Sequence, residues 1–194
     1  MDKGDSVKKT LSVFFPLYTT TLLMLLGSGL LTTYVSLRLT AVQVSGALIG
    51  AIIAAHYIGL VIGGKVGHML IARVGHIRAY VSCSGIITAA VLGHGLTDII
   101  PLWVALRLVI GLCMMCQYMV LESWLNDQAA AEQRGTVFGF YMAASYLGMA
   151  LGQVVLMLQD GLGISTLLII ALCFALCLVP IALTTRTHAE IGRA

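Results

Sequence analysis

Side chains that could do chemistry are rare in this chain, and the most unusual of them lies inside a long apolar stretch. Arg107 is the one arginine within such a stretch. A guanidinium near the centre of a membrane costs about 2.5 to 3.5 kcal/mol on insertion scales, and such a group normally faces a protein interior or a wet cavity. Arg107 is therefore the first candidate for a functional residue.

The apolar stretch that carries Arg107 aligns further polar groups with it. At 100° per residue, one helix face contains Arg107, Gly111, Met114, Tyr118 and Glu122. We expect this stripe to face the protein interior, with Glu122 at its end. An ion pair between Glu122 and Arg73 or Arg78 would hold one conformation and open in another. The alternative is a helix end that a nearby basic loop simply neutralises.

Other polar residues within apolar stretches are secondary candidates. His56 is the histidine furthest from the end of a stretch, which makes it a candidate for proton coupling near neutral pH. Residues that could line a solute path are Tyr34, Tyr57, Gly111, Gln117, Tyr118, Tyr141 and Gln153. Hydrogen bonding between helices is the alternative role for each polar member of this set, because buried polar groups need partners.

The composition indicates an integral membrane protein. The chain is 59% hydrophobic and 10% charged, against about 25% charged residues in a soluble domain. Spans of about 20 apolar residues are predicted at about 11–34, 44–66, 79–96, 100–121, 136–158 and 164–184. Because these stretches are apolar on every face rather than alternating, they predict helices and not a β-barrel. The predicted fold is all-α, with six transmembrane helices.

The basic residues predict how the chain crosses the membrane. Cytoplasmic loops are enriched in Lys and Arg. This rule places both termini, 1–10 and 185–194, in the cytoplasm, together with inner loops near 67–78 and 122–135. Arg38 is then the one basic residue outside, and the net charge of +3 needs no nucleic acid as a partner.

Several classes of function are disfavoured. The sequence has no H-E-x-x-H, G-x-S-x-G or phosphate-binding G-x-x-x-x-G-K-[ST] motif, and its loops are too short for a catalytic domain. We therefore expect no enzymatic activity. The five cysteines fall within the spans, where Cys behaves as a small apolar residue, so neither a metal site nor a cofactor is indicated.

Small residues recur at four-residue spacing in several spans. Examples are Gly46, Gly50 and Ala54, then Gly59, Gly63 and Gly67, then Gly85, Ala89 and Gly93, then Ala144, Gly148 and Gly152. Such stripes let helix backbones approach closely in lipid, where little hydrophobic force drives helices together. We expect close helix packing, although helices that slide during transport would use the same pattern.

The order of several motifs resembles a known family. These motifs are Arg73-x-Gly75-x-x-Arg78, Arg107-x-x-x-Gly111, Arg134-Gly135, Glu122-Ser123, Tyr141-Met142 and Tyr146-x-Gly148-x-x-x-Gly152-Gln153. Together they resemble the amino-terminal half of a major facilitator superfamily (MFS) transporter, in particular its bacterial YcaD-type branch. The resemblance covers nearly the whole chain.

The resemblance implies a secondary transporter of the bacterial inner membrane, in which two six-helix bundles rock about a central cavity. The loop motif then maps to Gly67, Arg73, Gly75 and Arg78, and implies a cytoplasmic gate. The arginine of the fourth helix maps to Arg107 and implies a role in proton coupling. The expected partners are a small-molecule solute and membrane lipid.

The chain departs from the family pattern in three respects. Ala72 stands where the loop usually has an aspartate, and Gly67 is one residue further from Arg73 than is common. The chain also has six predicted spans instead of twelve, and its tail resembles the start of a linker between halves. We therefore expect either a missing carboxy-terminal half or a second copy as a partner. The alternative function is a non-transporting membrane scaffold that binds another membrane protein.

Overall fold

The computed structural model describes residues 3–159 and 161–182, with side chains from residue 12 onward. Its helices are α1 (Lys3–Ala41), α2 (Gly46–Val74), α3 (His76–Leu96), α4 (Ile100–Gln128), α5 (Arg134–Met157) and α6 (Ile164–Leu176). A short 3-10 helix, Ala131–Gln133, precedes α5. The described part of the chain contains no strand, and six of its helical segments are long and apolar enough to cross a membrane. The predicted all-α membrane fold is confirmed.

The helices extend beyond the predicted spans. The predicted loop at 67–78 is wrong, because α2 continues to Val74 and α3 begins at His76. Gly75 alone separates them, with a φ of 85° that favours glycine. Likewise α4 continues to Gln128, within the loop predicted at 122–135. Arg, Lys, Glu and Gln are good helix formers, so polarity did not end these helices.

The terminal segments also differ from the prediction. Residues 3–10, predicted as part of a separate amino-terminal segment, belong to α1 in the structure. The predicted tail 185–194 lies outside the described residues.

Two helix pairs form the closest contacts, α2 with α4 and α1 with α5, while α3 and α6 cover the remaining side. Glycines allow the close approach: a Cβ on Gly59 would overlap the backbone of Leu108, and a Cβ on Gly152 would lie 2.7 Å from the carbonyl oxygen of Leu26. The predicted small-residue packing is therefore found at these positions. It is not found at Gly50, where a Cβ would meet nothing within 4 Å.

The connections divide between two ends of the bundle. The end that carries Arg73, Arg78 and Arg134 is named the basic end, and the other is named the Arg38 end. At the Arg38 end, Arg38 forms an ion pair of 3.1 Å with Asp98. Arg38 also donates to the Tyr34 hydroxyl and to the carbonyl oxygen of Leu162, both at 3.2 Å. This network ties α1 to the connections that precede α4 and α6.

Candidate functional site

A cavity of about 300 Å³ lies between α1, α2, α4 and α5. Five residues that were predicted from the sequence line it: Arg107, His56, Tyr57, Tyr118 and Gln153. The remaining polar lining comes from Ser28, Thr32 and Thr33 of α1. The structure thus brings the principal polar groups of four helices to one place.

Arg107 is the one charged residue among the described residues that line the cavity. Its side chain is 1% exposed, and its Nη2 donates a hydrogen bond of 3.0 Å to Thr32 Oγ1. Thr32 in turn donates to the carbonyl oxygen of Ser28 at 3.0 Å, which fixes its hydroxyl as an acceptor for Arg107. The Nε and Nη1 atoms of Arg107 have no hydrogen-bond partner among the described residues.

The other polar groups are arranged around the guanidinium. His56 is buried, and its Nδ1 has no partner in the described part of the chain. Its ring meets that of Tyr57 edge-on at 5.5 Å, and Tyr57 is 59% exposed on the open side of the cavity. On the α1–α5 side, Thr33 donates to Gln153 Oε1 at 2.8 Å. The cavity therefore contains the unpaired hydrogen-bond donors of Arg107 next to the aromatic ring of Tyr57.

Glycines set the width of the cavity. A Cβ on Gly111 would overlap the carbonyl oxygen of His56, so glycine at this position lets α4 approach α2. A Cβ on Gly29 would lie 3.2 Å from the carbonyl oxygen of Met149, on the wall between α1 and α5. Gly111 does not line the cavity, which corrects its predicted role: it sets the spacing between two walls.

Three further residues predicted to line the path lie elsewhere. Tyr34 is buried in the Arg38 network. Gln117 is buried between α3 and α4, where its Nε2 donates to Ser84 Oγ at 2.7 Å. Tyr141 donates to Glu122 at 3.1 Å. Gln117 and Tyr141 therefore form hydrogen bonds between helices, the alternative role, whereas the partner of Tyr34 belongs to the same helix, α1.

The polar wall that α1 contributes was not among the residues predicted from the sequence. Ser28 and Thr32 are one helical turn apart, and Thr33 follows directly. The i, i+4 spacing of two hydroxyl residues was the available signal, since such residues share a helix face. Short hydroxyl side chains carry little weight in a membrane span because they commonly bond to their own helix backbone.

The predicted ion pair between Glu122 and Arg73 or Arg78 is absent from the structure. Glu122, Arg73 and Arg78 are exposed, and Arg38–Asp98 is the only ion pair among the residues whose side chains are described. Glu122 is bound by the Tyr141 hydroxyl instead. Because α4 continues past Glu122, this carboxylate lies on the surface of a helix, against α5, and not in a loop near Arg73 and Arg78.

The motif predicted to be a gate lies at the basic end, where contacts other than ion pairs are found. Gly67 is buried, and a Cβ there would lie 3.0 Å from the sulfur of Met119. Beyond Gly75, the His76 ring stacks on Trp124 at 6.3 Å, and its Nε2 lies 3.3 Å from Ser123 Oγ. The α2–α3 connection is thus tied to α4 through His76.

We expect Tyr141→Phe and Glu122→Gln to lower stability non-additively, because both changes weaken the same hydrogen bond. The coupling should be about 0.5–1 kcal/mol, since Glu122 is exposed and a hydrogen bond contributes about that much net. Circular dichroism during SDS titration of the purified protein measures it. Tyr146→Phe is the matched control, because Tyr146 is 65% exposed on the same helix. Additive effects would show that the pair contributes nothing.

Comparison with known proteins agrees with this architecture. The family model described as Major Facilitator Superfamily matches residues 17–194. The chain is 31% identical over 132 residues to proteins named uncharacterized MFS-type transporter YcaD from Escherichia coli, for example strains S88, ED1a and E24377A. This match covers 68% of the chain and 35% of each relative, so the aligned part spans about a third of their length. No solved structure matches the chain.

The matched region begins within the first membrane-spanning helix and contains the other five. It also contains every residue that lines the cavity around Arg107. The chain is a multi-pass membrane protein, and it belongs to the major facilitator superfamily.

Proposed function

We propose that the chain forms the amino-terminal half of a secondary active transporter that moves a small solute by alternating access. The observation that carries the proposal is Arg107, a buried guanidinium with two unpaired nitrogen atoms on the wall of a cavity between helices. A static bundle would gain nothing from this arrangement, because an unsatisfied buried polar group lowers stability by about 1–3 kcal/mol or more when charged. On a path for a solute or an ion, the unpaired nitrogen atoms would be free to bind the solute or ion as it passes.

The coupling step is proposed to involve Arg107, His56 and Glu122. Arg107 and His56 line the same cavity, so binding of a solute at Arg107 or of a proton at His56 changes the electrostatic potential at the other residue. Glu122 lies towards the basic end on the same helix as Arg107 and is bound by Tyr141. Breaking that bond would free a carboxylate to pair with Arg73 or Arg78 in another conformation.

The gate is proposed to be the motif formed by Gly67, Arg73, Gly75 and Arg78. Gly75 alone joins two long helices, so rotation about this residue would move α2 relative to α3. The exposed Arg73 and Arg78 flank it. With the basic end in the cytoplasm of a bacterial inner membrane, as the distribution of basic residues favours, this hinge would face inward.

The proposed partner is a carboxy-terminal half or a second copy related by an axis along the membrane normal. The outer faces of α2 and α5 support this arrangement. These two helices bury the smallest shares of their residues, and they flank the open side of the cavity where Tyr57 and Gln153 are exposed. A second bundle against them would close the cavity.

Reconstitution of the purified chain into proteoliposomes tests the proposal. Solute-dependent currents on a solid-supported membrane, or solute-dependent pH changes reported by a trapped dye, are expected for at least one class of small solute. Protein-free liposomes are the control. Absence of flux together with a stoichiometric co-purifying membrane protein would support the alternative function, a scaffold.

A further inference from the structure

The charge of the cavity is not balanced by its own lining. Arg107 is the one charged residue among the described residues that line it. Two acidic side chains among the described residues are bound elsewhere: Asp98 by Arg38 and Glu122 by Tyr141. A cation would therefore be repelled from this cavity, and an uncharged solute would leave the guanidinium without a counter-charge.

We infer that the cavity binds a small organic monoanion whose planar carboxylate pairs with Arg107. The role of that anion as the transported substrate rests on the proposed function, whereas its binding does not. Arg is the side chain best matched to a carboxylate, because its planar fork donates two parallel hydrogen bonds.

The hydrogen bonds of Arg107 leave such a fork intact. Nη2 carries two hydrogens and has one described acceptor, Thr32 Oγ1 at 3.0 Å. If the bond to Thr32 uses the Nη2 hydrogen that lies on the Nε side, both donors of the edge formed by Nη1 and Nη2 remain free. If the bond uses the other Nη2 hydrogen, both donors of the edge formed by Nε and Nη2 remain free. Since Nε and Nη1 are unpaired, a complete two-donor edge remains in either case.

The rest of the lining selects for an apolar body attached to that carboxylate. Leu25, Ile53, Leu60 and Met149 contribute aliphatic surface, and Tyr57 and Tyr118 contribute aromatic rings. A volume of about 300 Å³ is at the lower end of the range for ligand sites. A compact aromatic or branched aliphatic carboxylate fits these dimensions better than a sugar, which would need many more hydrogen-bonding groups.

Three probes of nearly equal shape separate charge from size: benzoate, benzamide and benzamidine, which carry charges of −1, 0 and +1 at neutral pH. Ligand-observed NMR with the purified chain in detergent measures their affinities, with protein-free micelles as the blank. We expect benzoate to bind at least about tenfold more tightly than either of the others, equivalent to about 1.4 kcal/mol. Equal affinities, or a preference for benzamidine, would overturn the inference.

Two variants test whether the anion binds at Arg107. Arg107→Gln should abolish the preference for benzoate, whereas Lys65→Gln, which removes a positive charge from an exposed position on α2, should retain it. A preference for benzoate that survives in a folded Arg107→Gln variant would overturn the proposed site. The comparison of three probes on the unaltered chain is independent of any variant, so it remains decisive if Arg107→Gln fails to fold.

Flux measurements separate this inference from the proposed function. Binding of benzoate through Arg107 without transport of radiolabelled benzoate or of other carboxylates would support the anion site and count against the transporter. Transport of an uncharged solute, together with equal affinities for the three probes, would support the transporter and overturn the anion site. Saturable benzoate transport that Arg107→Gln abolishes is the result expected if both are correct.

Discussion

Replacing Arg107 with alanine is expected to abolish transport while the protein still inserts into the membrane. The change removes the positive charge of the cavity and its two-donor edge, so the cavity loses the group proposed to pair with an anion. Insertion should not suffer, because the arginine itself costs about 2.5 to 3.5 kcal/mol at bilayer depth. Arg107→Lys keeps the charge but loses the planar fork, and we expect only partial activity.

Flux in proteoliposomes containing a full-length or paired assembly measures this effect, and the yield of detergent-extracted protein from membranes reports insertion. Lys65→Ala is the matched control, since Lys65 is exposed on α2 and does not line the cavity. We expect it to transport at a rate close to that of the unaltered protein. Full flux in the alanine variant would remove Arg107 from the mechanism.

The second large effect is expected at Gly111. An alanine Cβ there would overlap the carbonyl oxygen of His56, and neither backbone can yield without separating α4 from α2. Overpacking of this kind lowers stability by about 1–3 kcal/mol, and the shifted helices would also displace Arg107 and His56 from each other. Gly111→Ala should therefore reduce both stability and flux.

Gly50→Ala is the matched control, because Gly50 lies within α2 and a Cβ there would meet nothing within 4 Å. We expect this variant to be unchanged or more stable by up to about 1 kcal/mol, as alanine is the better helix former. SDS titration followed by circular dichroism compares the two. Equal stabilities would show that the close approach of α2 and α4 in the structure is wrong.

The sequence was sufficient to predict the class of fold, and it singled out Arg107, which lines the cavity of the structure. Six apolar stretches allow helices only, and a lone Arg107 among them has few acceptable environments. His56, Tyr57, Tyr118 and Gln153 were candidates because they are polar residues within predicted spans, and all four line the cavity. The stripe expected on α4 faces the interior at Arg107, Gly111 and Met114, which are buried, but not at Glu122, which is exposed.

The remaining candidates show why polarity alone is insufficient. Tyr34, Gln117 and Tyr141 are as polar as the residues that line the cavity, but each forms a hydrogen bond with a neighbouring side chain: Arg38, Ser84 and Glu122, respectively. Whether a polar residue in a span meets a cavity or a neighbouring side chain depends on how each helix is rotated within the bundle. Helical periodicity gives the faces of one helix but not which neighbour each face meets.

The loops were misjudged for a related reason. Charged and amide residues between apolar stretches suggested loops at 67–78 and 122–135, yet helices extend through most of both ranges. Polar residues end the membrane-embedded part of a helix without ending the helix, which continues until its backbone is interrupted. Gly75, with its positive φ, is the interruption between α2 and α3.

The most direct test of the account is the accessibility of position 107 to water. The five native cysteines are first replaced. Two variants of this background, Arg107→Cys and Val109→Cys, then each carry a single cysteine at a different position on α4. Val109 is 37% exposed on another face of the helix, whereas Arg107 is 1% exposed and lines the cavity. A hydrophilic methanethiosulfonate reagent should label Arg107→Cys and leave Val109→Cys unmodified. Labelling of neither position, or of Val109→Cys alone, would contradict a water-accessible cavity around Arg107.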